Sequence, residues 1–145
     1  MKRFLLSAIA LLLLAGCSQK SLVKSDHPTE PIEKPSTFCR VINPPNPLLL
    51  GTWEGSFLRS KSGKDDQNFV RYKVIKYGDK YAVHQYRVWK KGRKKKVGWL
   101  SWVIDGDEII GQPERFGVRL FVEGGAVYYT IRGLTEPVRM IRVSD

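Results

Sequence analysis

From Leu48 to Val143 the chain is cut at short intervals by turn signals: Ser62-Gly63-Lys64-Asp65, Gly78-Asp79, Lys91-Gly92-Arg93, Asp105-Gly106, Gly111 to Pro113, Gly124-Gly125 and Gly133 to Pro137. Glycine, proline and aspartate at such positions supply the backbone angles that reverse a chain within a few residues. Between them lie short runs rich in Val, Ile, Tyr, Phe and Trp, and no run keeps a helical period for three turns. Both observations point to an antiparallel, all-β fold. The turns predict eight strands, over 48–59, 67–77, 80–90, 96–104, 108–112, 116–122, 126–132 and 137–143.

Several of these runs alternate. Val70, Tyr72 and Val74 share one face while Arg71 and Lys73 share the other. Phe116, Val118, Leu120 and Val122 form a second apolar row, and Val127, Tyr129 and Ile131 a third. A meander with one apolar face has to cover that face. Closing an even number of strands covers it and also removes exposed edges. The expected architecture is therefore a small antiparallel up-and-down β-barrel of about eight strands, residues 48–145. An interior of that size is either filled by side chains or holds one small ligand. Its expected pocket lining is Tyr72, His84, Tyr86, Leu120 and Tyr129. Glu54 is expected to pair with a basic side chain inside.

The start of the chain has a different character. Lys2 and Arg3 precede an apolar run, Phe4 to Leu14, that is too short to cross a hydrocarbon core of about 30 Å comfortably and reads as the apolar part of a signal peptide. Behind it stands Leu14-Ala15-Gly16-Cys17, which resembles the lipobox of bacterial lipoproteins. The resemblance implies removal of residues 1–16, a diacylglyceryl group on the Cys17 thiol and acylation, typically by palmitate, of the new amino terminus. Several acyl chains would make membrane attachment durable, since each buried CH₂ contributes about 0.8 kcal/mol. Ser18 after the lipidated cysteine implies an outer-membrane address, with the protein facing the periplasm.

Residues 17–47 read as a tether. They hold Pro28, Pro31, Pro35, Pro44, Pro45 and Pro47, six of the eight prolines, and such chain is extended and semi-rigid. Phe38, Val41 and Ile42 are the groups expected to dock on the domain. Lipidation consumes one of two cysteines and leaves Cys39 without an intramolecular partner, either as a shielded thiol or as one that bonds another protein.

The first strand carries a second resemblance. Gly51-Thr52-Trp53 is similar to the G-x-W that opens the barrel of lipocalins and their calycin relatives. In those families the tryptophan plugs the closed end and an arginine of the last strand lies across it. Arg139 or Arg142 would take that part beside Trp53. The lipocalin C-terminal helix, disulfide and other motifs are absent from this chain.

Removing residues 1–16 takes away Lys2 and Arg3 and no acid, so a net charge of +11 becomes +9. A protein this basic is drawn to anionic surfaces. The densest charge is the hairpin tip VWKKGRKKKVGW, where Lys90, Lys91, Arg93, Lys94, Lys95 and Lys96 are candidates for binding anionic lipid or lipopolysaccharide, at about 1 kcal/mol each beside such a membrane. Trp89 and Trp99 are candidates for seating at that interface. Nucleic acid would use the same side chains, but an envelope location argues against it.

Enzyme chemistry finds little to work with. Of two histidines, His27 falls in the tether and His84 in a strand, and there is no nucleophile elbow, phosphate loop or metal-ligand spacing. Asp105-Gly106-Asp107-Glu108 reads as a turn. The sequence thus predicts a non-enzymatic envelope lipoprotein, without metal or cofactor, that binds a small amphipathic ligand or an anionic envelope component. The alternatives are an assembly lipoprotein with a solid barrel that binds envelope proteins, and a module that inhibits an enzyme.

Overall fold

The structure, a computed structural model, describes residues 34–61, 64–89 and 95–143, with backbone alone at 60–61 and 64–66. Cys17, most of the tether and Lys90, Lys91, Arg93 and Lys94 lie outside these residues. The described elements are strands β1 (Arg40–Asn43), β2 (Gly51–Lys61), β3 (Lys64–Tyr77), β4 (Lys80–Trp89), β5 (Lys95–Leu100), β6 (Val103–Asp105), β7 (Glu108–Ile110), β8 (Arg119–Glu123), β9 (Ala126–Thr130), β10 (Val138–Arg139) and β11 (Ile141–Val143), with 3-10 turns at Pro47–Leu49 and Glu114–Phe116.

The fold is all-β. Its ladders divide into two sheets, ordered β1-β6-β7-β8-β9-β10 and β11-β2-β3-β4-β5, rather than one ladder closed on itself. Every pairing is antiparallel except β1 with β6. The chain passes between the sheets at Ser101–Trp102 and again at Met140, so the expected strands 96–104 and 137–143 are each broken into two. At the second break Met140 packs onto β2: a Cβ on Gly55 would lie 2.6 Å from Met140 Sδ, so glycine gives the methionine side chain its room there.

Register sorts the side chains into rows, because directly opposed residues share a face. In the five-stranded sheet one face carries Gly51, Val74, Val83 and Leu100; then Trp53, Tyr72, Gln85 and Gly98; then Gly55, Val70, Arg87 and Lys96; then Phe57, Asn68 and Trp89. In the six-stranded sheet Ile104, Ile109, Leu120, Tyr129 and Val138 make one row. Tyr72, Val70, Val74, Val83, Ile104, Ile109, Leu120, Val127 and Tyr129 are all buried to within 1% of completely and belong to one core cluster with Leu49, Trp53, Phe57 and Trp102. The expected apolar faces of the strands at 67–77 and 126–132 are therefore the inner ones.

Two expectations are corrected. Ordered structure begins before residue 48: β1 lies within the stretch read as tether, and Cys39 is already part of the core. All four β1 residues are exposed, so no burial pattern could announce the strand. Polar contacts place it instead, with Asn43 Nδ2 donating to Asp105 (2.6 Å) and Asn46 Nδ2 to Asp107 (2.8 Å). Asp105 and Asp107 thus serve a turn that latches the entering chain. Phe116, expected on an inner face, instead sits half exposed in a 3-10 turn that ends at Gly117 (φ 61°), and its strand starts only at Arg119.

Candidate functional site

One end of the core is closed by Leu49 and Trp53. The 3-10 turn Pro47–Leu49 puts Leu49 into the core with no exposure, and Trp53 Nε1 donates to the Leu49 carbonyl at 3.2 Å. The Arg142 guanidinium lies over the Trp53 ring, 5.0 Å from its centre, and Nη2 donates to the Leu50 carbonyl. Gly51 makes this passage available. Its φ is 115°, and a Cβ there would stand 2.8 Å from Arg142 Nη2. Of the two arginines proposed beside Trp53, Arg142 is the one that meets it. Arg139 is exposed on β10, opposite Tyr128.

Away from that end the inner rows turn polar. Gln85, Arg87 and Asn68 replace the Val83 and Val70 type of residue, and all three are buried, at 5%, 9% and 2% exposure. Gln85 Nε2 donates to Tyr72 Oη at 2.7 Å. The Tyr72 and Tyr129 rings lie 5.7 Å apart, with Phe57 5.4 Å from Tyr129 and Trp102 5.4 Å from Tyr72. The two hydroxyls approach each other, yet Tyr129 Oη is sealed from solvent without a hydrogen bond of normal geometry. Arg87 stacks on Trp89 at 4.9 Å, and its Nε is likewise sealed and unbonded. Among the described residues no carboxylate forms an ion pair with it. Burial drives the Tyr72 hydroxyl well above the ordinary phenol range, and Tyr129 adds to this, while Gln85 and Arg87 pull weakly the other way. Burial also raises Tyr129, against the pull of Arg87, Tyr72 and Arg59. Both hydroxyls stay protonated at neutral pH.

Of the five residues expected to line a pocket, Tyr72, Leu120 and Tyr129 share this interior. His84 and Tyr86 do not. They lie on the outer face of β4, opposite Lys73 with Trp99, and opposite Arg71 with Val97. The reason is register: the two-residue turn Gly78-Asp79 pairs Tyr77 with Lys80, and counting back from it places Gln85 opposite Tyr72. His84 packs against Trp99 at 5.0 Å, edge to face. Glu54, expected inside, is also on the outer face. It accepts a 2.5 Å ion-pair bond from Arg71 Nε, and the Arg71 guanidinium lies against the rings of Phe69 (5.7 Å) and Tyr86 (5.4 Å).

The basic tract is described only in part. Lys95 and Lys96 are exposed at the start of β5, and Lys95 Nζ sits 5.1 Å over the Tyr86 ring on the outer face. Trp89 and Trp99, paired in expectation as one interfacial set, occupy opposite faces of the sheet, since Trp89 opposes Asn68 and Trp99 opposes His84. Cys39 is a buried free thiol, within 3.6 Å of the Leu100 carbonyl, and burial raises it above the ordinary thiol value. Among the described residues no three His, Cys, Asp or Glu side chains gather in an arrangement that could hold a metal.

Gln85 and Arg87 are the residues that sequence reasoning passed over. Their signal was present in the Gly78-Asp79 turn, which fixes the face of each β4 residue once the apolar face of β3 is known. The chain matches no protein-family model, no curated protein and no solved structure.

Proposed function

We propose that this chain is a non-enzymatic, lipid-anchored protein of the bacterial envelope whose β domain, arranged like a small calycin barrel, holds a small amphipathic ligand between its two sheets. The anchor is Cys17, the address the outer membrane and the orientation periplasmic. The observation that carries the ligand reading is the gradient along the inner face. It runs from a closed end at Leu49 and Trp53, through the aromatic body of Tyr72, Trp102, Phe57 and Tyr129, to the polar group of Gln85 and Arg87. Ligand sites combine such an apolar lining with a few placed polar groups. The edge of the sheet is open beside it: Gly98, opposite Gln85 on the inner face, has no atom of the described residues within 4 Å of where a Cβ would stand. A second reading, attachment to anionic envelope surfaces, is favoured by the exposure of Lys95 and Lys96 next to the basic tip.

Native mass spectrometry of the full-length protein extracted from membranes tests the proposal. The expected spectrum carries acyl mass on the Cys17 peptide and a non-covalent small-molecule adduct that denaturation removes. A protein without acyl mass refutes the anchor. One that never shows an adduct, across several extraction conditions, refutes the ligand.

A further inference from the structure

We infer that the ligand between the sheets is a small organic acid, whose anionic group is bound by Arg87 with the hydroxyls of Tyr129 and Tyr72. The inference deepens the small-ligand reading and rests on it. Arg87 is more than nine-tenths buried, on the inner face beside Val70, and its Nε has neither solvent nor acceptor. A guanidinium cannot escape burial by losing its proton, and charges taken out of water are ordinarily paired. The Trp89 ring offsets part of the cost, but it offers no oxygen to accept the Nε proton.

The groups around it point the same way. Tyr129 Oη is sealed without a hydrogen bond of normal geometry, and Tyr72 Oη, which accepts from Gln85, approaches it, so the pair has one proton left to give. Arg59, whose charge reaches Tyr129, and Lys96, opposite Arg87, add positive potential, and the one acidic position that register places on this face of the sheet, Asp66, falls opposite Arg59. The balance of charge disfavours a cationic ligand. A neutral acceptor would satisfy the hydroxyls and leave the guanidinium uncompensated. A carboxylate answers both the guanidinium and the hydroxyl pair, because charge-assisted bonds to its two oxygens are the strong kind. Phe57, Trp102 and Leu120 would surround its apolar body, with entry beside Gly98 on β5, the terminal strand of its sheet.

Three matched probes test this on the full-length protein in lipid nanodiscs: 4-phenylbutyrate, 4-phenylbutanol and 4-phenylbutylamine, with binding followed by tryptophan fluorescence and calorimetry. The acid is expected to bind at least tenfold more tightly than the alcohol, about 1.4 kcal/mol, and the ammonium compound more weakly than either. Arg87→Gln should bring the acid down to the affinity of the alcohol. Lys76→Gln, which removes an exposed positive charge elsewhere on the sheet, should change acid binding less than twofold. If Arg87→Gln does not fold by thermal melting, Tyr129→Phe carries the same test, with an expected loss of threefold or more for the acid alone. Equal binding of acid and alcohol, unchanged in the variants, overturns the anion site and leaves a non-selective apolar pocket. Failure of all three probes to bind overturns the pocket itself and this inference with it.

Discussion

Two arginines on neighbouring strands, Arg71 on β3 and Arg87 on β4, are buried to nearly the same extent, at 8% and 9% exposure, on opposite faces of one sheet. On the outer face Arg71 meets Glu54 at 2.5 Å and lies between two aromatic rings. On the inner face Arg87 has one ring and no carboxylate among the described residues. The same residue type at the same depth has a complete set of partners in one place and an incomplete set in the other. Depth alone therefore does not explain Arg87. A structural arginine is expected to resemble Arg71, whereas one whose partner arrives from outside is expected to look as Arg87 does.

The largest predicted effect brings the two closer. Glu54→Gln keeps the shape of the outer pair but removes the negative charge beside the Arg71 guanidinium. Breaking a buried pair in this way costs about 3–5 kcal/mol. Urea unfolding of the variant should show that loss as a lower midpoint with an unchanged slope. A loss below about 1 kcal/mol would mean that Glu54 contributes little to holding Arg71 and that the contrast between the faces is empty.

Arg142, at the closed end, is the intermediate case, with an aromatic ring and a backbone carbonyl but no carboxylate among the described residues. Arg142→Gln should cost about 0.5–2 kcal/mol, the range of a cation over an aromatic ring. Arg87→Met should go the other way. Replacing an unpaired buried charge by an apolar side chain of similar length is expected to raise the stability of the ligand-free protein by about 1 kcal/mol. Adding 4-phenylbutyrate should then reverse the order, because saturating ligand at a hundredfold its dissociation constant stabilises the wild type by about 2.7 kcal/mol. A ligand-free Arg87→Met protein as damaged as Glu54→Gln would assign Arg87 to the framework.

Much of the fold was legible because the information is local. Turn residues and period-two alternation mark β2, β3, β4, β8 and β9 to within a few residues, and the inner faces of β3 and β9 follow from Val70-Tyr72-Val74 and Val127-Tyr129-Ile131. The site was less legible because β4 alternates without contrast. Its inner series Val83, Gln85, Arg87 is the more polar, and its outer series contains His84 and Tyr86. Hydropathy favoured the wrong face, and only the count from Gly78-Asp79 corrects it. β1 was illegible for a different reason. Its backbone ladder to β6 and the side-chain amides bonded to Asp105 and Asp107 hold that strand in place, and such contacts leave no periodic trace. The breaks at Ser101–Trp102 and Met140 go with packing between distant parts of the chain, as of Met140 on Gly55, which no local pattern encodes.

The smallest predicted effect separates the faces by pH. His84 lies on the outer face of β4, one residue before Gln85 on the inner face, and burial together with Lys73 lowers its pKa below the ordinary imidazole value of about 6.5. The unfolded chain therefore binds a proton at His84 at a higher pH than the folded chain does. Between the folded and unfolded pKa values the unfolded state holds more protons, so stability rises with pH across that window. The contribution is complete above the unfolded value and is lost as the pH falls through the window toward the folded one. Urea midpoints measured between pH 7 and pH 5 should decline gently in the wild type, and more gently in His84→Gln. The inner tyrosines titrate far above this range and add no slope to it, since burial holds both hydroxyls protonated. A decline identical in the two proteins would place the titrating group elsewhere and remove His84 from the account of the outer face.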